Sequence, residues 1–164
     1  RFGFYITRQL AIAIENDHML KEMGFDNARD CLGYRVVIKN VERLGDHAVR
    51  LSQDVLDYKT PIQGKNFDRI QEMSSYAISV MDDACLALFK KDYDQAEKSI
   101  ESANNIQKYE KRILDNLKTS KDEEEIFRIR KIVENVKRVA EYASDIGEIV
   151  LNMNIEKILK KSEM

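Results

Sequence analysis

Two carboxylates stand four residues apart in the stretch KNVERLGDHAVRLSQDV, residues 39–55. Residues four apart lie on the same face of an α-helix, so Glu42 and Asp46 can converge on one point. A pair of carboxylates without a thiolate or imidazole in the same strip suits a hard or borderline cation such as iron, manganese or magnesium, with other helices or water completing its shell. The alternative is a solvated face on which Asp46 pairs with Arg50, worth only about 0.3–0.5 kcal/mol.

The two neighbours Gly45 and His47 are expected to serve packing. His47 is rotated by about 100° around the helix from Asp46, which favours a packed or hydrogen-bonded role over joint ligation. Gly45 costs about 1 kcal/mol inside a helix relative to alanine, which predicts close approach of another helix. The sequence contains no glycine-rich phosphate loop, nucleophile elbow or Cys–His constellation, so we expect a protein that is not an enzyme.

Composition narrows the class of protein further. Charged residues make up 34% of the 164 residues and the formal net charge is only −2, so no direct nucleic acid contact by this segment is expected. Cys31 and Cys85 lack zinc-site spacing and are predicted to be buried, reduced thiols. No apolar run approaches the roughly 20 residues of a membrane span and no signal peptide is recognisable, which favours a soluble, cytoplasmic protein.

These side chains must be positioned by helices, because the apolar periodicity is helical throughout. Gly24 is predicted to end the first helix, Asp26 or Asn27 to cap the second, Asp92 to cap the fourth, and Ser120 with Glu123 to form a capping box. The clearest break is Lys59 to Lys65, which contains Pro61. The five predicted helices are Phe2 to Glu22, Asn27 to Tyr58, Asn66 to Lys91, Tyr93 to Leu117 and Lys121 to Leu159.

The second and fifth predicted helices carry the same seam. A shift of ninety-five positions keeps every seam residue apolar or small and also matches Asn40 to Asn135 and Arg43 to Arg138. This correspondence predicts an internal repeat, although two unrelated bundle helices remain the alternative. The paired seams are Tyr34, Val37, Val41, Leu44, Ala48, Leu51 and Val55, and Ile129, Ile132, Val136, Val139, Ala143, Ile146 and Val150.

Three stretches resemble a known family. VERLGDHAVRL, residues 41–51, resembles the signature of the PhoU family of phosphate-uptake regulators, which are built from two three-helix repeats with an acidic ExxxD motif on the third helix of each. NVKRVAEYASDIGEIV, residues 135–150, is similar to a diverged second copy, and FYITRQL, residues 4–10, resembles the family's preceding helix. The resemblance extends over nearly the whole chain.

The fold that the resemblance implies is all-α, an antiparallel helical bundle of tandem three-helix PhoU-like repeats. Residues 1–60 would form the first repeat with two helices present, and residues 61–164 the second repeat with three. The first helix of repeat one would then be missing before Arg1. This pattern is that of an archaeal-type PhoU-like domain lacking its N-terminal part, for which an upstream DNA-binding domain is expected.

The role that the resemblance implies is regulatory. It predicts modulation of phosphate uptake or phosphate-responsive gene expression through contacts with phosphate ABC transporter components or a signalling kinase, by a protein that forms a homodimer. The alternative is a structural or dimerisation helical domain of a DNA-binding or ion-transport protein, without phosphate sensing. Iron, zinc or another divalent metal is the expected cofactor at the acidic motifs, and no organic cofactor is expected.

The resemblance also assigns metal candidates. Glu42 and Asp46 keep both acids of the first motif, whereas Lys137 replaces the first acid of the second motif, Glu141 preserves the second acid and Asp145 adds another. Ala103 and Gln107 occupy the places of acids on the fourth predicted helix. A lysine ammonium is electrostatically unfavourable beside a cation, so Lys137 argues against a full second cluster.

Overall fold

The computed structural model describes residues 2–57 and 61–162, without the side chains of Asp57 and of residues 154–162. Every regular element in these ranges is an α-helix, which confirms the all-α bundle. Part of the break predicted between Lys59 and Lys65 lies outside the described residues. The helices are α1 (Phe2–Ile14), α2 (Asp17–Glu22), α3 (Ala28–Asp57), α4 (Gly64–Lys90), α5 (Tyr93–Asn104), α6 (Ile106–Leu117) and α7 (Glu123–Ser162).

Two of the five predicted helices are interrupted, so the described ranges contain seven helices instead of five. The first stops at Ile14, and the Asn16 side chain caps α2 by accepting hydrogen bonds from the backbone N–H groups of His18 and Met19. The predicted fourth helix breaks at Asn105, whose side chain donates to the Glu101 carbonyl. The prediction that these two helices are continuous was wrong. At each break an asparagine side chain forms hydrogen bonds with backbone groups that a continuous helix would pair within itself.

The predicted caps were correct at three positions and wrong at a fourth. Gly24 has φ +73°, Asn27 accepts from the Arg29 N–H at 2.8 Å, and Asp92 accepts from the Gln95 N–H at 3.0 Å. The capping box of Ser120 with Glu123 was wrong. Asp122 accepts from the Glu125 N–H at 3.0 Å instead, and α7 therefore begins at Glu123.

The centre of the fold is α7, which packs against α3, α4, α5 and α6. The main core lies mostly between α7 and the helices α4, α5 and α6, and its residues include Met73, Val80, Ile113, Ile129, Ile146 and Val150. A smaller core of Leu10, Ala13, Leu20 and Cys31 joins α1 and α2 to α3. The chain from α4 to α7 therefore holds most of the buried apolar side chains. Helix α3 adds to this core mainly through the face that packs against α7.

Side-chain contacts fix α3 and α7 as antiparallel, because residue numbers rise along one helix as they fall along the other. Asn135 donates its amide to the Lys131 carbonyl, so its Oδ1 accepts and the Nδ1 of His47 carries the proton. The predicted hydrogen-bonded role of His47 is confirmed. The contacts are Asn40 Nδ2 to Asp145 Oδ2 at 3.2 Å, His47 Nδ1 to Asn135 Oδ1 at 2.7 Å, and Lys131 Nζ to Asp54 Oδ1 at 2.9 Å.

Close helix approaches occur at glycines other than the predicted one. A Cβ added to Gly45 would meet no atom within 4 Å, so the expectation of a tight contact there was wrong. A Cβ on Gly147 would lie 2.8 Å from Ile100 Cγ1 and 3.1 Å from the Ala96 carbonyl oxygen. Gly147 therefore permits α5 to lie directly against α7.

The two cysteines are free thiols, as predicted, but only one is fully buried. Cys31 is 1% exposed, whereas Cys85 is half-buried, which corrects the expectation for Cys85. Burial, followed by the nearby Asp30 carboxylate, raises the pKa of Cys31. Burial and Asp82 raise the pKa of Cys85 in the same way. Both thiols are therefore less ionised at neutral pH than a free cysteine.

Candidate functional site

Two grooves lie at corresponding places on the outside of α3 and α7. The first groove, between α1 and α3, has a volume of about 540 Å³ and is lined by Gly3, Phe4, Arg35, Lys39, Glu42 and Arg43, among others. The second groove, between α6 and α7, has about 350 Å³ and is lined by Glu110, Leu114, Arg130, Lys137, Arg138 and Glu141, among others. Arg35 and Arg43 correspond to Arg130 and Arg138 under the ninety-five-residue shift. The internal repeat itself stays a prediction.

The Glu42 carboxylate lies inside the first groove, against the backbone of Gly3. A Cβ at Gly3 would overlap the Glu42 carboxylate, so a larger residue at this position would require the flexible Glu42 side chain to move. Glu42 Oε2 also accepts from Lys39 Nζ at 3.1 Å, and its side chain is 36% exposed. Sequence patterning gave no signal for the Gly3 contact, because Gly3 lies thirty-nine residues away on another helix.

Asp46 is exposed one turn further along α3. Neither Asp46 nor Arg50 forms an ion pair within the described part of the chain, so the alternative pairing of these two residues is not formed. The two carboxylates of the first motif therefore differ in environment. Glu42 is held by Lys39 and by α1, whereas Asp46 faces solvent.

The second pair, Glu141 and Asp145, shares a small cleft of about 180 Å³ with Lys137, Ala103 and Gln107. Glu141 Oε2 lies 2.7 Å from Arg138 Nη1, and Asp145 Oδ2 accepts from Asn40 Nδ2 at 3.2 Å. Both carboxylates therefore already have partners, one on α7 itself and one on α3. The two non-acidic residues that replace the expected α5–α6 acids do line this cleft.

The ammonium of Lys137 is neutralised by an acid that the sequence did not single out. Lys137 Nζ lies 2.9 Å from Glu110 Oε2 on α6, and the two side chains are 30% and 24% exposed. The pair joins α6 to α7 in the second groove, at the level where Gly3 meets Glu42 in the first. A cation is thus supplied there by the protein itself, which makes a metal ion at the same point electrostatically unfavourable.

The acidic side chains of the described residues are too few at any one point to form a complete metal site. Among residues 2–56 and 61–153, whose side chains the structure describes, no group of three or more histidine, cysteine, aspartate or glutamate side chains is placed to hold an ion. An ion at Glu42 and Asp46 would depend on water for the rest of its shell. The four candidates Glu42, Asp46, Glu141 and Asp145 therefore fall into two separate pairs, on α3 and on α7, and metal ligation by them stays a prediction.

A polar link between the two motif helices was also not anticipated. Asn40 is 2% exposed, and its amide reaches from α3 to Asp145 on α7. The sequence matched Asn40 to Asn135 by position but gave no indication that each would contact the other helix. The second-motif acid Asp145 is thereby tied to the first half of the molecule.

Comparison with models of known protein families identifies a domain in the second half of the chain. The model of the PhoU domain family matches residues 70–150, which run from the first third of α4 to Val150 in α7 and include the second acidic motif. None of the curated proteins and none of the solved structures matches the chain. Within the described residues, no helix is long and apolar enough to cross a membrane. Residues 70–150 of this chain therefore belong to the PhoU domain family.

Proposed function

We propose that this protein is a regulator that modulates phosphate uptake, or phosphate-responsive gene expression, by binding other proteins. The observation that carries the proposal is the PhoU domain over residues 70–150, since PhoU proteins form a regulatory, non-enzymatic family concerned with phosphate uptake. Its partners would be components of a phosphate ABC transporter or a signalling kinase, met in the cytoplasm. A homodimer is the expected assembly.

The surface of the molecule supports a binding role. The grooves beside α3 and α7 carry many charged side chains at their rims, and the main core between α4, α5, α6 and α7 is filled with apolar side chains. Charged groups arranged around a shallow groove select a protein partner through electrostatic complementarity. Regulation would then follow from which partner is held.

Deletion of the gene in its native host tests this proposal. Uptake of radiolabelled phosphate should rise in phosphate-rich medium, and the chain supplied from a plasmid should restore repression. A destabilised variant such as Ile113→Asp, which places a carboxylate at a residue with 0% exposure, should fail to restore it. Unchanged uptake and unchanged phosphate-responsive transcripts after deletion would rule out the proposal.

Metal binding at Glu42 and Asp46 is a separate proposal, since the regulatory role does not depend on it. Iron, zinc or manganese should raise the melting temperature of the metal-free protein if an ion binds the folded state. Glu42→Ala with Asp46→Ala should abolish this shift, whereas Glu141→Ala with Asp145→Ala should leave it in place, because Lys137 disfavours a second ion. No shift with any of the three metals would remove the metal proposal alone.

The second candidate is a helical packing or dimerisation domain of a DNA-binding or ion-transport protein. The exposed apolar side chains of the first half favour it, for example Phe2 at 85%, Phe4 at 83% and Leu56 at 83% exposure. Such side chains commonly mark an interaction surface. Normal phosphate control after gene deletion, together with loss of self-association in a Phe2→Ser, Phe4→Ser variant, would favour this candidate over the first.

A further inference from the structure

The first groove differs from its counterpart in charge. Its rim carries Arg35, Lys39 and Arg43 against the single acid Glu42, so its formal charge is positive. Lys39 and Glu42 pair with each other. Neither Arg35 nor Arg43 is ion-paired with any residue described, and both are exposed. Two guanidinium groups therefore remain available along one side of this groove.

The second groove is neutral by comparison. Three cations, Arg130, Lys137 and Arg138, face three acids, Glu110, Glu134 and Glu141. Lys137 pairs with Glu110 at 2.9 Å and Arg138 with Glu141 at 2.7 Å. Each groove is thus lined by a matched pair of arginines, but only the first groove has an excess of positive charge.

The first groove also has an exposed apolar lining. Phe4 from α1 is 83% exposed, and Leu32 and Val36 from α3 are 56% and 47% exposed. In the second groove the apolar lining includes Val133, which is only 2% exposed. Exposed apolar side chains next to unpaired cations are a combination that binding to a partner would bury and neutralise.

The geometry points to an amphipathic helix of a partner protein as the occupant of the first groove, with acidic side chains flanking an apolar stripe. The lining on α3 extends from Leu32 to Arg43, which is about 17 Å at 1.5 Å per residue and matches about three turns of a helix. Helices dock in such grooves through apolar residues spaced three and four apart. Glutamates or aspartates beside that stripe would then meet Arg35 and Arg43.

An anionic membrane surface is a poorer match to the same residues. A flat surface would meet the outer face of α3 as a whole, including the exposed Asp46 and the partly exposed Glu42. A helix seated in the groove meets the two arginines from one side instead. This inference deepens the proposed function, because it names the surface and the kind of partner, but its test does not require a phosphate response.

The test uses two fluorescein-labelled peptides of about 18 residues, long enough for partial helicity in water. Both carry leucines on one face, flanked by glutamates in one peptide and by lysines in the other. Fluorescence anisotropy with the whole chain should show binding of the acidic peptide only, weakened by added salt. Arg35→Glu with Arg43→Glu should reduce its affinity by about tenfold or more, and Arg35→Lys with Arg43→Lys should retain most of it.

The second groove provides the matched control. Arg130→Glu with Arg138→Glu changes the same residue types by the same charge and should leave acidic-peptide affinity within about twofold, with melting curves confirming that each variant folds. Equal binding of both peptides, or equal loss in both double variants, would overturn the inference. So would binding to phosphatidylglycerol vesicles that depends on Arg35 and Arg43 while the acidic peptide does not bind. Normal phosphate control with intact peptide binding would count against the proposed function alone.

Discussion

The first half of the molecule, α1 to α3, and the second half, α4 to α7, use matched seam helices in different ways. Val136 and Val150 on α7 are 5% and 1% exposed, whereas the matched Val41 and Val55 on α3 are 55% and 56% exposed. The reason is the number of neighbours. α7 has α4, α5 and α6 against it as well as α3, but α3 has only α1 and α7 as main neighbours among the described helices.

A seam pattern therefore specifies which face of a helix can be buried, and the neighbouring helices determine whether that face is buried. The acidic motif shows the opposite difference between the two halves. On α3 both motif positions are acids, Glu42 and Asp46, whereas on α7 the position that matches Glu42 is Lys137, which pairs with Glu110. The half with the more complete bundle, which carries the PhoU domain, thus has the less acidic motif. The first half has both motif acids, but fewer helices pack against the apolar seam of its α3.

The largest expected effect comes from truncating matched valines. Val150→Ala should lower the free energy of unfolding by about 2–3 kcal/mol, because it leaves a cavity in the main core. Val55→Ala should change it by less than about 0.5 kcal/mol, because the side chain is already in solvent. Urea denaturation followed by circular dichroism measures both. Equal losses would mean that the exposed seam of α3 is buried in solution.

The next comparison is between Gly45 and Gly147. Gly45→Ala should stabilise by about 1 kcal/mol, because alanine favours the helix and its Cβ meets nothing. Gly147→Ala gains the same propensity but crowds Ile100 and Ala96, an overpacking that typically costs about 1–3 kcal/mol. Gly45→Ala should therefore be the more stable variant in thermal unfolding. The reverse order would contradict the close approach of α5 to α7.

A smaller effect is expected at the polar links between α3 and α7. Asn40→Ala should destabilise by about 1–2 kcal/mol, since Asn40 is buried and its loss leaves the Asp145 carboxylate without that donor. Asn135→Ala, at a half-buried position, should cost about 1 kcal/mol or less. A larger loss at Asn135 than at Asn40 would reverse the relative importance of the two contacts.

The smallest effect concerns thiol reactivity and leaves stability unchanged. Cys85 in the second half should react with iodoacetamide faster than Cys31 in the first, because it is only half-buried. Both should react more slowly than free cysteine at pH 8 and accelerate as the pH rises, because their raised pKa values reduce the thiolate fraction. Mass spectrometry of partly labelled protein gives the order. Faster labelling of Cys31 would indicate that the small core opens readily.

Prediction from the sequence succeeded for features that depend on residues close together in the chain. The all-α class and the caps at Asn27 and Asp92 follow from periodicity and from short polar side chains beside helix starts. The breaks at Asn16 and Asn105 were missed because an asparagine within a helical pattern can either continue the helix or cap a new one. At the start of α7 two polar residues could act as the cap, and Asp122 caps the helix where Ser120 was predicted to, so α7 begins two residues later than predicted.

The candidate site could be predicted only in part. Spacing located Glu42 and Asp46 on one helix face, because i and i+4 neighbours are a local property. It could not reveal that Gly3 makes room for Glu42, that Glu110 neutralises Lys137, or that Asn40 reaches Asp145. Those contacts join residues on different helices, and no period within one helix encodes them.

The helical class, the seams of α3 and α7 and the acidic motifs can all be predicted from the sequence, because they depend on residue type and spacing along one helix. The packing of the helices is needed to know which seam is buried, which charges are paired and which arginines stay available. Burial and ion pairing depend on what another helix brings to the same point in space. Arg35 and Arg130 are alike in sequence context, yet only Arg35 lies on a groove with excess positive charge and exposed apolar side chains.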